Sequence, residues 1–486
     1  MINSTWKNIV GFSDLRNLLL SYKVTKKKTF PVRHLIPGMI GIYYFCEMQI
    51  DVFKFGGASV NSPSGVRNIA EILKKFSNRR LVVVVSAMGK TTNALEELLK
   101  YYLAGDAIAM VETYTRIRNY HFNILETLFR KKDHPVFTEM DSLFSQLRGT
   151  LYRGHLHENK LKNYDFEYDR IVSFGELFSS TLVFHWLIKV GIRSFCLDAR
   201  ELIRTDRTYR DAEVNWELTQ TNIRERVETI FNNKSDAGGI ILTQGFIASD
   251  STGNTTTLGR EGSDYSAAIF AYSLPSKEMV IWKDVPGVMN ADPKWLRSAK
   301  KLDTLSYRET IELAYFGASL IHPKTIKPLE NGDITLRVKS FRKPDLPGTV
   351  IRNIETWTID SPIFIRKLNQ VLISISPRDF SFIVEENLSS IFNILARYHV
   401  KVNVMQNSAI SFSICVDDDG FNETHRNNSL KKMIAELGND YSVLYNRNLE
   451  LITIRHYNQR AINLTTKNKK VLLEQRTRNT VHLVLS

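Results

Sequence analysis

The chain has 486 residues, 43% hydrophobic and 24% charged, which is ordinary globular composition with length for two or three domains. Its three cysteines, Cys46, Cys196 and Cys415, lie far apart with no CxxC, which excludes a disulfide framework and makes a reducing cytoplasm the expected location. The net charge is +14, but the excess sits at the two ends, without zinc-finger spacing or an RNA-binding aromatic signature. A solvated basic surface, or one that draws in anionic small molecules, is therefore expected rather than a nucleic-acid partner.

Residues 1–47 pair a basic loop, KVTKKKTF, with the short apolar run LIPGMIGIYYFC, and no small-residue cleavage site follows. MQIDVFKFGG reads as the natural start of the fold, so residues 1–47 are expected to be a dispensable extension. No apolar run reaches the roughly 18 residues of a membrane span, so no membrane partner is expected.

From residue 48 to about 354, short apolar strands alternate with helical patterns. FKFGG precedes the helix candidate SPSGVRNIAEILKKF, and RRLVVVVSAMG precedes NALEELLKYYL. Continuous β-branched runs such as LVVVV predict strands buried on both faces of a parallel sheet. GIILTQGF, MVIWKDVPGV and ITLRV extend the series. The expected architecture is α/β with helices on both sheet faces and ligands beyond the carboxyl ends of the strands. Residues 105–170 read as a mostly helical insertion that walls one side of a cleft, and residues 355–362 as a linker. Beyond it, QVLISIS, LSSIFNILARY, VKVNVMQ, AISFSICV, LKKMIAEL and YSVLY spell βαββαβ, a ferredoxin-like unit; LELITIRHY, a short helix near 458–466, KKVLLEQ and TVHLVL form a second, incomplete one.

Four stretches combine glycine, hydroxyls and charge beyond what packing needs. Lys54 lies inside an apolar strand just before Phe55, Gly56 and Gly57; glycine lets backbone N–H groups approach an anion, and the lysine supplies a point charge for a phosphoryl group. SAMGKTTN, residues 86–93, is a strand–loop–helix cradle, weak alone, in which Thr91 or Thr92 is also a plausible helix cap. TTTLGREGSDY, residues 255–265, brings three threonines, Arg260, Ser263 and Asp264 to a helix start, where a guanidinium can fork onto a carboxylate. WKDVPGVMNADPK, residues 282–294, ends a strand in Lys283-Asp284 and a Pro-Gly turn suited to a nucleotide edge.

With these four in order, the chain resembles the aspartate kinases of the amino-acid kinase superfamily. KFGGASV is similar to that family's KFGGTSV, with Ala58 for threonine, and TTTLGREGSDYSAA to its TTTLGRGGSDYTAA. WKDVPGVMNADP, ELAYFGASLIHPKTI and VKSFRKPDLPGTVI match further family segments, so the resemblance covers residues 48 to 486. It implies a three-layer αβα kinase domain over 48–354, with a mainly parallel sheet, and ferredoxin-like ACT regulatory modules over 363–486. The implied reaction transfers the γ-phosphoryl of ATP, with Mg2+ accompanying the nucleotide, to the side-chain carboxylate of L-aspartate, the opening step toward lysine, threonine and methionine. The chemistry agrees: the nucleophile is already ionised, and none of the four stretches contains a histidine, the nearest being His322.

The resemblance also implies roles. Lys54, with Gly56 and Gly57, stabilises the transferring phosphoryl, and Asp264 orders Lys54 or a metal-bound water. Arg260 holds the α-carboxylate and Glu176, in SFGELFSS, accepts the ammonium. Thr92 and Ser263 bond the substrate, while Ser86 and Phe246 line its pocket. Phe55, Lys283, Asp284, Met289, Lys294, Ser319 and Leu320 fall at nucleotide positions. Ser319 departs from a frequent lysine and Met289 from a tyrosine, with Lys283 a candidate for the missing charge. No separate metal-ligand cluster is expected. A homodimer or larger oligomer through the ACT region is implied, controlled by an end-product amino acid; with no homoserine dehydrogenase domain after the ACT region of this sequence, a monofunctional enzyme is expected. Alternatives at this point are a kinase for glutamate, acetylglutamate or UMP, a catalytically silent amino-acid sensor, and a nucleic-acid binder.

Overall fold

The computed structural model describes residues 49–155, 163–232, 239–318, 321–354, 361–379, 381–418 and 429–486, side chains excepted at 153–155. The extension expected at 1–47 and most of the 355–362 linker lie outside them, as do Ser319 and Leu320.

The strands are β1 (Ile50–Phe55), β2 (Arg80–Val85), β3 (Ser194–Leu197), β4 (Gly239–Gln244), β5 (Ile247–Ser249), β6 (Thr255–Thr257), β7 (Glu278–Lys283), β8 (Thr304–Ser306), β9 (Thr335–Ser340), β10 (Thr349–Arg352), β11 (Ile363–Pro377), β12 (Val402–Asn407), β13 (Phe412–Asp417), β14 (Tyr441–Arg455), β15 (Val471–Arg476) and β16 (Thr480–Leu485). Eight of them form one sheet in the order β3-β4-β2-β1-β7-β9-β10-β8, parallel except where β10 meets β9. The chain builds outward from β1 on one side and returns through β7 on the other. The switch point of the sheet, where open α/β folds bind ligands, therefore falls beside β1.

Register carries this further. Phe55 pairs with Val85 on one side and Trp282 on the other, and Val85 with Gln244, so four strands end on one line. Along β1 the side chains alternate between faces. Phe53 and Phe55 join Val83, Val85 and the helices Pro63–Lys74, Thr91–Ala104 and Phe174–Lys189 in one core. Val52 and Lys54 take the other face, under the helix Gly262–Ser273, which packs on β1, β2 and β7.

The expected helical insertion is present as Ala107–Phe129, Pro135–His155 and Tyr164–Val172. Among the described residues the helical stretch Tyr164–Lys189, with mean hydropathy 1.4, is long and apolar enough to cross a membrane, but its most apolar window is 78% buried inside the fold, where it serves as a core helix.

The C-terminal strands form a six-stranded antiparallel sheet, β12-β13-β11-β14-β16-β15. The two ferredoxin-like units share β11 and β14, each 15 residues long and paired along their length with a register shift near Lys367–Leu372. YSVLY and LELITIR, read separately in the sequence, are thus one strand. Helices Glu385–Arg397 and Ser429–Asp440 cover one half of the sheet, and Gln459–Thr466 the other. Residues Gln49–Ser486 form one compact unit.

Candidate active site

Lys54 is buried at the end of β1, and its Nζ lies 2.5 Å from Asp264 Oδ1. Asp264 stands in the first turn of helix Gly262–Ser273, where the helix dipole favours an anion. Its other oxygen is 4.0 Å from Lys283 Nζ at the end of β7. Burial alone would raise the Asp264 carboxyl, but the ammonium groups of Lys54 and Lys283 outweigh it and hold its pKa below the ordinary value. A Cβ on Gly56 would meet Lys54 Nζ at 3.4 Å, so the backbone runs directly beside that ammonium. Gly57 has stricter reasons to be glycine, since a Cβ there would meet the Ala87 carbonyl at 2.6 Å and the Gly89 carbonyl at 3.2 Å.

Beside this cluster, where Ser86 N–H bonds the Phe55 carbonyl at 3.1 Å and Ser263 precedes Asp264, the Ser86 and Ser263 hydroxyls are 3.0 Å apart. Phe246 holds a left-handed φ of 67°, fixed by its N–H to Ser266 Oγ at 2.9 Å and by Leu258 N–H to its carbonyl at 2.9 Å. Glu176, in the first turn of helix Phe174–Lys189, is 2% exposed and accepts the Ala87 N–H on Oε1 at 3.2 Å. Among the described residues nothing bonds its other oxygen. Burial pushes its pKa up to about 8, against the pull of backbone hydrogen bonds and of Lys54. A buried acceptor with a vacant oxygen at the rim of a cleft is a fitting seat for a ligand's ammonium group.

These groups line one cleft of about 830 Å³, which contains Lys54, Ser86, Thr92, Glu176, Phe246, Arg260, Ser263, Asp264 and Lys283. Other expected residues lie elsewhere. The Phe55 side chain is in the core, its ring 5.9 Å from and stacked on that of Trp282, which leaves only its backbone for a site. Asp284 and Lys294 are exposed, and Met289 forms a bridge with Lys301; none of the three lines the cleft. Among the described residues no group of three His, Cys, Asp or Glu side chains converges to hold a metal ion.

The sequence reading missed Asp165, Tyr168, Arg210, Asp211, Glu261, His322 and Lys324, which also line the cleft. Asp165 and Tyr168 come from the last helix of the insertion and Arg210 and Asp211 from a charged loop. The Glu261 carboxylate accepts the His322 N–H at 2.8 Å, tying the Arg260 turn to the His322-Pro323 turn. The one available signal was that HPKT followed a glycine turn just before a helix.

The cleft, with its charged strand end and a buried carboxyl that keeps one oxygen unbonded, has the chemistry to receive anionic and amino-acid ligands. Over residues 49–340 the chain matches the amino acid kinase family. It is 31% identical over 396 residues to the Lysine-sensitive aspartokinase 3 of Escherichia coli (strain K12), covering 80% of this chain and 83% of that one. Among solved structures, E. coli aspartokinase III in complex with lysine and aspartate (T-state) is similar with a TM-score of 0.73 and 27% identity, over 90% of this chain and 95% of that one. The same enzyme in complex with aspartate and ADP (R-state) gives 0.71 and 26%, over 90% and 96%. The chain belongs to the amino acid kinase family and, within it, to the aspartokinases.

Proposed function

We infer that the cleft transfers the γ-phosphoryl group of ATP to the side-chain carboxylate of L-aspartate, giving 4-phospho-L-aspartate. The observation that carries this is that one cleft brings together the Lys54–Asp264–Lys283 cluster at the strand ends and the Glu176 carboxyl, with its unbonded oxygen, and Arg260. The first suits a phosphoryl group, the second an amino acid's ammonium and α-carboxylate.

An aspartate carboxylate is ionised at neutral pH, so the chain needs no general base and works by positioning and charge neutralisation. Glu176 takes the ammonium and Arg260 forks onto the α-carboxylate. Thr92, Ser263 and Ser86 orient the substrate, and Phe246 closes the pocket. Lys54, held by Asp264, faces the charge that develops on the transferring group, with Gly57 N–H beside it. Gly56, the Phe55 backbone, Lys283 and Asp284 serve the nucleotide, with Met289 and Lys294 at its outer edge; Ser319 and Leu320, also expected at nucleotide positions, lie outside the described residues. The residues fit a Mg2+ ion held chiefly by phosphate oxygens, since among the described residues no three His, Cys, Asp or Glu side chains converge and Asp264 is already paired with Lys54 and Lys283. When bound, the ion supplies further charge neutralisation.

The division into a dispensable 1–47, a catalytic 48–354 and a regulatory 363–486 belongs to the same reading, as does a reducing cytoplasmic location. We also propose a homodimer or larger through the C-terminal sheet, controlled by an end-product amino acid. The sheet's outermost strands, β12 and β15, and the exposed Phe382, Val384, Ile410 and Leu444 in that region support association. The test of the activity is a coupled assay of ADP release with aspartate against glutamate. Turnover with glutamate alone, or with neither, would sink it.

A further inference from the structure

Arg210 has a φ of 70°, in the left-handed region that glycine enters freely and a side chain does not. Its surroundings impose that conformation. Its N–H is donated to both oxygens of Asp169, at 3.1 and 3.0 Å. Asp169 is wholly buried and also accepts the Thr257 N–H at 2.9 Å and the Thr257 hydroxyl at 2.6 Å. The Ala212 N–H meets the Thr257 carbonyl at 3.0 Å, and a Cβ on Gly259 would collide with the Asp211 carboxylate. One buried carboxylate thus clamps the Arg210 loop onto the strand that leads into Arg260. The clamp brings both arginines to the same cleft.

The Arg210 guanidinium lies over the rings of Tyr168, at 4.7 Å, and Tyr164, at 5.3 Å, with Nη1 3.2 Å from Asp165 Oδ1. The rings fix where the cation sits. The Asp165 pair is weak, because both side chains are about half exposed, at 48% and 50%, and water screens it. The backbone here would be better served by glycine, and what glycine lacks is the guanidinium. Strained positions of this kind cluster at ligand clamps.

We propose that Arg210 is a second guanidinium for the acceptor amino acid. It exchanges Asp165 for the substrate α-carboxylate that Arg260 also holds. This rests on the aspartate reading of the cleft. The test compares wild type, R210G and D165N for KM of aspartate, KM of ATP and Tm. R210G relaxes the backbone, so its Tm is expected to hold or rise. Its aspartate KM is expected to rise about tenfold or more, the loss of one charge-assisted hydrogen bond, with the ATP KM unchanged. With aspartic acid 1-amide, which lacks the α-carboxylate, R210G and wild type should differ little. D165N removes the resting competitor, so its aspartate KM should fall or stay level. An unchanged aspartate KM in R210G overturns the proposal, as does a rise shared by both substrates with a lower Tm. A raised aspartate KM in D165N also counts against it. A wild-type enzyme that phosphorylates no aspartate would overturn the activity instead.

Discussion

Arg455, at the end of β14 in the C-terminal sheet, forks onto Glu309 of the catalytic region, with Nε–Oε1 at 2.8 Å and Nη2–Oε2 at 2.7 Å. Its Nη1 adds Glu312 at 3.2 Å, and both partners of the main pair are nearly buried, at 12% and 5% side-chain exposure. Glu309 lies in the first turn of helix Tyr307–Tyr315, which leads through the Gly317 turn toward His322 and the active-site rim.

Replacing Arg455 by methionine should therefore do more than remove one contact. It strands a buried carboxylate, at a cost of about 3–5 kcal/mol in fully buried cases. The expected result is a lower Tm, partly restored by adding E309Q. The pH dependence has a definite sign. Burial would raise the Glu309 carboxyl, but hydrogen bonds from Arg455 and His456 bring its pKa down to about 2 from 4.5. The pair's stabilisation is complete above the unfolded value of 4.5 and is lost as the pH falls toward 2. Acid unfolding of R455M should shift less over that window than wild type; identical acid profiles would show that the pair contributes nothing.

Arg260→Lys should raise the KM for aspartate and leave the KM for ATP nearly unchanged. Lysine keeps the charge but loses the planar fork, and one charge-assisted hydrogen bond is worth about 1.5–3 kcal/mol, roughly 10- to 150-fold. Among the described residues no carboxylate pairs with Arg260, so the substitution disturbs no internal salt bridge. Steady-state kinetics with each substrate varied in turn is the check. A change confined to the ATP term would put Arg260 on the wrong side of the cleft.

Much of the cleft was legible because strand ends announce themselves. Lys54, Ser86 and Arg260–Asp264 sit where apolar runs break at glycine or small hydroxyls, and β1, β2 and the helix after Arg260 aim those breaks at one line. Arg210 and Asp211 gave no such signal. RTDRTYRDAEV looks like any charged surface loop, and only the distant, buried Asp169 turns it inward. The long strands β11 and β14 were cut for a similar reason. Asn446, Arg447 and Asn448 are exposed where β14 passes from one half-core to the other, and polar residues in mid-strand read as a turn. Phe55 shows the converse: a residue next to a site can keep its side chain in the core and offer the site its backbone alone.

Aspartate binding should release a proton near pH 7. With its pKa at about 8, Glu176 keeps its proton in the empty cleft, and it must ionise to take the substrate ammonium. The KM for aspartate should then fall as the pH rises through about 8 and level off above it. For stability the sign is opposite. A carboxyl raised from 4.5 to about 8 stabilises the fold fully below 4.5, and that contribution is lost as the pH climbs through 8. Calorimetry in two buffers of different ionisation enthalpy measures the proton directly. E176Q should abolish the release and weaken aspartate binding. A flat pH profile with no proton exchanged would remove Glu176 from the ammonium seat.

The C-terminal sheet should transmit an effector to the cleft. Its two units are continuous through β11 and β14, so a ligand that bridges one half bears on the other. Two contacts then lead inward. Arg455 grips Glu309, and the Lys367 side chain of β11 packs so closely on Gly317 that a Cβ there would meet its Cε at 2.5 Å. Gly317 has a φ of 104°, so that turn is shaped by the contact and tolerates little else. From there Glu261 and His322 are joined beside Arg260. By linkage an effector can shift the catalytic equilibrium only by its difference in affinity between two states, typically about 1–3 kcal/mol. Lysine or threonine is the expected inhibitor, lysine first. The intact enzyme should be titrated with lysine, threonine and methionine, singly and paired, with its mass followed by light scattering. R455M should blunt the inhibition while leaving aspartate turnover without effector measurable. A flat response to all three, in an enzyme that turns over aspartate, would mean that the C-terminal sheet serves assembly alone.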